Sequence, residues 1–212
     1  MSPLPRTGRR APAGGALLLL LALLHPHGGA AQAFQVDRGA ANVVRFVSRA
    51  ATEEFEGVTE RIDGYVTLDA PVLAPGGGGD ATEVYLEVDL GSLDTGIGLR
   101  NRHMRDRYLE VSRYPYATFE GKITRREAGG ADTVRVTAHG TLTLHGVERP
   151  RDLTCAVTPS GAGYRARCAF EVLLSEHQIE IPKVMFLKLA NEIGLDLDFT
   201  VVPAAPPNGD AR

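Results

Sequence analysis

The stretch EVYLEVDL, residues 83–90, sets Val84, Leu86, Val88 and Leu90 in strict alternation with Glu83, Tyr85, Glu87 and Asp89. A side-chain period of two belongs to a β-strand with one apolar and one wet face, because successive Cβ atoms point to opposite sides of a sheet. The period recurs in Ala117-Phe119-Gly121-Ile123, Val134-Val136-Ala138, Leu142-Leu144, Leu153-Cys155-Val157, Cys168-Phe170-Val172 and Ile193-Leu195-Leu197-Phe199-Val201. Turn signals separate the runs: four glycines at 76–79 followed by Asp80, then Gly129-Gly130, Ser160-Gly161 and, near the end, Asn208-Gly209. With residues 43–48 and 61–68 this makes eight or more antiparallel strands. So many one-faced strands must hide both an apolar face and their edges, by closing into a barrel or folding into a sandwich. Closure is the expectation: an all-β antiparallel barrel of about eight strands with one or two short helices. Small residues at the inward positions Gly121, Ala138 and Gly140 would leave room for a lumen.

Two stretches depart from the period. Read as a helix, residues 101–111 place Met104, Tyr108 and Val111 on one apolar stripe, with Arg100, His103 and Arg107 aligned beside it. Such a helix would seal one end of the barrel and hold cations at its rim, or simply present them to water. Residues 181–191 (IPKVMFLKLAN) read as one or two helical turns opened by Pro182, or as a buried loop.

Residues 1–33 read as an export signal: Arg6, Arg9 and Arg10 precede an apolar run at 16–24, and Ala31-Gln32-Ala33 offers small residues for cleavage before Phe34. The apolar run is about half the length a membrane-spanning helix requires. Removing the signal takes three of the 23 basic residues and none of the 26 acidic ones, leaving a net charge near −6. That charge argues against a nucleic-acid partner. The remaining chain is read as one barrel domain at 34–202 and a disordered tail at 203–212, in a periplasmic or secreted protein. Homodimerisation is left open.

An exported chain meets oxidising conditions, so the two cysteines matter. A two-residue turn at Gly161-Ala162 pairs positions whose numbers sum to 323, which sets Cys155 opposite Cys168 at a separation short enough to bridge. A cross-strand disulfide and two buried thiols are both compatible with that pairing.

Motifs for chemistry are missing from the sequence. No GxSxG, SxxK or papain-like cysteine occurs, and no histidine or cysteine spacing matches a zinc site. His139 and His145 would share a metal only if a bend brought them together. Glu53-Glu54 and Asp196/Asp198 fit a solvated face better than acid–base catalysis. The glycines at 76–79 lack the Lys-Ser/Thr of a phosphate loop. No catalytic, metal or cofactor site is assigned, and the chain is read as non-enzymatic.

Four blocks then carry a resemblance: residues 88–96 (VDLGSLDTG), 100–104 (RNRHM), 114–119 (YPYATF) and 140–147 (GTLTLHGV). In order and spacing they resemble the YceI-like family of lipid- or polyisoprenoid-binding exported proteins. The resemblance implies a lipocalin-like barrel whose interior holds a long isoprenoid chain, as polyprenyl phosphate or isoprenoid quinone, without enzymatic activity. It implies that residues 92–103 link a strand to a helix near the pocket entrance, and that His145-Gly146 is a structural corner. The chain departs from the family pattern at Asp37-Arg38-Gly39 and at residues 174–178 (LSEHQ). On this view Val84, Leu86, Val88, Phe119, Ile123 and Val136 line the lipid tail from one side. Leu142, Leu144, Phe170, Leu195, Leu197 and Phe199 line it from the other, and Arg100, His103 and Arg107 meet the head group. The alternative is a filled barrel that acts as a structural, interaction or stress-protective module. A lumen open near Arg100 separates the two.

Overall fold

A computed structural model describes residues 32–205, apart from 50–53, 69–71, 74–75, 78–81, 182, 185–186 and 189. Most of residues 1–33, read above as an export signal, the end of the tail with Asn208-Gly209, and Gly78 and Gly79 lie outside the described residues. The strands are β1 (Gln32–Val36), β2 (Val43–Arg49), β3 (Glu54–Thr59), β4 (Ile62–Leu68), β5 (Gly76–Gly77) and β6 (Glu83–Asp89). They continue as β7 (Tyr116–Gly130), β8 (Thr133–Leu144), β9 (Val147–Ser160) and β10 (Gly163–Leu173), then β11 (Lys183–Val184), β12 (Leu187–Lys188) and β13 (Glu192–Pro203). One short α-helix, α1 (Gly98–His103), interrupts them.

The strands β1, β4, β6, β7, β8, β9, β10 and β13 pair antiparallel in that order, and β13 returns to β1, so eight strands close a barrel. Closure removes the edges that an open sheet would expose. The ring is completed in two pieces, for β1 meets β13 at residues 201–203 whereas β2 meets it at 193–198. Strand β3 lies outside this ring beside β2. Its far edge is met by the backbone of Asp94, which exchanges two 2.9 Å hydrogen bonds with Val58. Periodicity does not single out β1 or β3: both are short, and the Gly57 of β3 interrupts its apolar side.

The hairpin from β9 to β10 follows the expected register, with Ser160 opposite Gly163 and Cys155 opposite Cys168. The two cysteines are joined, at a Cα separation of 4.2 Å. The hairpin from β8 to β9 turns on His145-Gly146, both with positive φ (54° and 72°), the mirror-type turn whose twist suits adjacent strands. A side chain at position 146 would also run into Tyr114, since a Cβ there would lie 2.4 Å from its ring.

Gly121 and Gly140 face each other across β7 and β8, and a Cβ on Gly121 would stand 2.6 Å from the His139 carbonyl oxygen. These glycines allow two strands to approach closely. Neither lines a cavity, whereas Ala138 does, so the small-residue expectation holds for one position of three.

Lys183–Val184 and Leu187–Lys188 are extended rather than helical, with Val184 paired to Leu187. A short apolar run has too few residues to distinguish the two periods. Pro182, Met185 and Phe186 lie outside the described residues.

Candidate ligand-binding site

The segment between β6 and α1 is fastened by its own polar side chains. Asp89 accepts from the Gly91 amide at 2.9 Å and opens a 3₁₀ turn at Leu90–Ser92. Ser92 Oγ lies 2.5 Å from Thr59 Oγ1 and so ties the turn to β3. Asn101 Oδ1 accepts from both the amide (2.8 Å) and the hydroxyl (2.7 Å) of Thr95, while its Nδ2 donates to Asp94 Oδ1 at 2.7 Å. That bond and the Gly96 amide hold the Asp94 carboxyl below the usual carboxylate range. The Arg100 Nε donates to Thr95 Oγ1 at 3.0 Å and its Nη2 to the Thr95 carbonyl at 2.9 Å. Its guanidinium lies over the Phe55 ring, 4.5 Å from the centroid, in a cation–π arrangement. The blocks at 88–96 and 100–104 therefore position one arginine on an aromatic platform.

That arginine borders a cavity of about 450 Å³ inside the barrel. Leu86, Val88, Phe119, Leu142, Leu144, Phe170, Leu195 and Leu197 line it, as the alternation of their strands anticipates. Val84, Ile123, Val136 and Phe199 do not; they surround a smaller space of about 70 Å³ that shares only Leu86 and Leu153 with the first. They occupy the opposite end of the barrel, where the interior is nearly filled.

Arg100 and His103 line the main cavity, but Arg107 does not. Its guanidinium is within 3.5 Å of Glu180 and largely exposed. The cause is local: α1 passes at Met104–Tyr108 into a π-helical turn, in which the Leu109 amide donates to the Met104 carbonyl at 2.8 Å. Each such turn takes up an extra residue, so position 107 rotates off the line that an α-helix would give it. Met104, Tyr108 and Val111 still pack on the core as expected.

The cavity also contains Arg151, on β9 across the barrel, with Nη2 3.8 Å from Glu176 and a buried Nε without a hydrogen-bond partner. Extending the inward parity of Cys155 and Leu153 back two residues points to Arg151. Phe46, Phe55, Ile97 and Leu99 also line the space; the parity of Val44 and Ser48 points to Phe46, whereas no period marks the others.

Leu174, Ile179 and Ala190 border the cavity from the segment after β10. Asn191 pinches that segment together through Ser175, accepting from its amide and donating to its hydroxyl, both at 3.0 Å. His177 lies at its centre, fully buried, with Nδ1 donating to the Val147 carbonyl at 3.1 Å. Burial holds its imidazole below the ordinary histidine pKa. His145 Nδ1 in turn donates to the His177 carbonyl at 3.2 Å.

The residues weighed for other chemistry are engaged elsewhere. His139 is paired to Asp152 at 2.6 Å on the outer face, away from His145. Asp198 accepts from Arg165 at 2.5 and 2.8 Å and from Arg167 at 3.1 Å, which keeps its carboxyl below the usual range. Glu54 lies 3.6 Å from Arg49, and Glu53 is outside the described residues. Among the described residues no three His, Cys, Asp or Glu side chains gather as a metal site, and no helix is long and apolar enough to cross a membrane.

Residues 34–201 match the family model for the YceI-like domain. The chain belongs to the YceI-like family. A UPF0312 protein of Yersinia pestis is 33% identical over 91 residues, 41% of this chain and 45% of that one. The Yersinia enterocolitica counterpart is 34% identical over the same length. The chain thus spans less than half the length of these curated relatives. In shape it resembles BcnA of Burkholderia cenocepacia, with a TM-score of 0.61, 20% identity, and coverage of 78% of this chain and 98% of that one. A polyisoprenoid-binding domain from Saccharophagus degradans is similarly close, at 0.62 and 19%, covering 82% and 99%. These likenesses carry the YceI-like barrel fold.

Proposed function

We propose that this protein is a non-enzymatic carrier of an isoprenoid-type lipid, held with its tail in the barrel and its head at the mouth. The observation that carries the proposal is the cavity itself: about 450 Å³, walled by aliphatic and aromatic side chains, and bordered by Arg100 on its Phe55 platform. Its size falls in the range of about 300–1,000 Å³ usual for small-molecule sites. A filled structural barrel has no use for such a space. Membership of the YceI-like family and the likeness to a polyisoprenoid-binding domain support the same ligand class.

The physical chemistry is favourable. A five-carbon unit contributes up to about 4 kcal/mol at about 0.8 kcal/mol per buried CH₂, so three units contribute up to about 12 kcal/mol against an association cost of about 4–15 kcal/mol. An anionic head would stay where it can be paired, because burying it unpaired is costly and charge-assisted donors favour it. Arg100, His103 and Arg151 supply such donors around a largely apolar space. The role expected of Arg107 passes to Arg151.

The test is uptake of a prenyl phosphate and an isoprenoid quinone by delipidated protein, followed by gel filtration. Co-elution of prenyl chains at a fixed ratio supports the carrier, and failure of both ligands to co-elute rejects it. On the carrier reading the protein works where its export signal would deliver it, in the periplasm or outside the cell.

A further inference from the structure

Residues 97–113 hold five arginines and His103 against only two acids, Asp106 and Glu110, in a chain whose net charge is −3. At the start of this segment Ile97 and Leu99 are 52% and 59% exposed, and both also line the cavity. Single exposed apolar side chains are ordinary on a protein surface. This pair differs in leading from solvent directly into an apolar interior. The chain between and before them projects outward: a Cβ built on Gly96 or Gly98 meets nothing within 4 Å. Arg102, Arg107 and Arg113 of the same segment are exposed, Arg107 lying 3.5 Å from Glu180.

Exposed apolar side chains in an arginine-rich segment suit the boundary of a bilayer, where the former enter the acyl region and the latter meet phosphate. A second copy of the same face would set arginines against arginines, which electrostatics disfavours. We infer that the α1 edge of the barrel docks on an anionic lipid bilayer, with Ile97 and Leu99 inserted and the cavity mouth turned toward the membrane. A lipid tail then passes between bilayer and cavity without crossing water. This inference rests on the carrier reading, since docking presents the mouth to its cargo.

The experiment is flotation of the protein with vesicles of phosphatidylcholine alone or mixed with phosphatidylglycerol, for wild type, Ile97→Ser/Leu99→Ser and Arg102→Glu. Each protein is also loaded with a prenyl phosphate from detergent solution, which reports the cavity independently of any membrane. Wild type should float with the anionic vesicles and be released by high salt. Both variants should bind at least about tenfold more weakly, and Arg102→Glu, which lies outside the cavity lining, should load from detergent normally. Equal binding to neutral and anionic vesicles, or variants that float like wild type, would overturn the docking. So would a dimer in solution that Ile97→Ser/Leu99→Ser abolishes, because the patch would then serve a second copy. Vesicle binding that follows the expected pattern without any loading from detergent would leave docking standing and remove the carrier reading.

Discussion

Lengthening an isoprenoid tail one unit at a time measures the lumen. The main cavity is about 450 Å³. At about 30 Å³ per water-sized group it accommodates on the order of fifteen carbon-sized atoms, or three isoprene units. Each five-carbon unit contributes at most about 4 kcal/mol on entering, and if roughly half survives the loss of chain freedom the net gain is about 2 kcal/mol, near thirtyfold in Kd. The inner space beyond Leu86 and Leu153 is about 70 Å³ and offers little more, so a fourth unit would emerge at the mouth beside Ile97 and Leu99. Titration calorimetry with prenyl monophosphates of two, three and four units should therefore show a steep gain from two to three. From three to four the change should stay below about threefold. Equal gains through the fourth unit would refute a lumen of fixed size, and indifference to length would refute a buried tail.

Three further outcomes follow from individual residues. Replacing Arg100 by Ala should weaken a prenyl phosphate about ten- to hundredfold and an uncharged quinone far less, whereas Arg107→Ala should leave both nearly unchanged; equal losses on the two ligands would contradict a head-group role. Substituting Cys155 and Cys168 together by Ser should cost about 3 kcal/mol in chemical denaturation, because their separation of 13 residues closes a loop of middling length. A loss under about 1 kcal/mol would show that the hairpin is held by other contacts. Buried His177 stays neutral in the fold with a depressed pKa, while in the unfolded chain it titrates near 6.5. Below about pH 6.5 the unfolded chain takes a proton that the folded one refuses, so stability should fall toward the folded pKa and stay level above 6.5. His177→Gln should remove that part of the slope in urea titrations at several pH values, and an unchanged slope would refute the assignment.

The strands were legible because each buries one face, which writes a period of two into long stretches such as residues 83–90 and 193–201. The β9–β10 register followed from a two-residue turn, and with it the Cys155–Cys168 pairing. Short elements lacked that redundancy: β1 and β3 hold too few residues for periodicity, and Lys183–Val184 paired with Leu187–Lys188 as strands where the apolar spacing also fitted a helix. Within the site, Leu86, Val88, Phe119, Leu142, Leu144, Phe170, Leu195 and Leu197 could be found by parity. Alternation cannot say how far along the barrel the interior stays open, and so Val84, Ile123, Val136 and Phe199 were grouped with them. Arg107 was misplaced because an ideal α-helix was assumed through a π-helical turn. Arg151 was overlooked because a charged residue at an inward position runs against the apolar pattern that identifies the strand.

The central claim is that the barrel interior carries an isoprenoid-type lipid. Mass spectrometry of organic extracts from protein recovered from its native host without detergent tests it most directly. A prenyl phosphate or isoprenoid quinone present near one per protein molecule, and depleted in an Arg100→Ala variant if the lipid is anionic, is the predicted result. A lipid-free extract, from protein that also fails to take up either ligand when it is supplied, would contradict it.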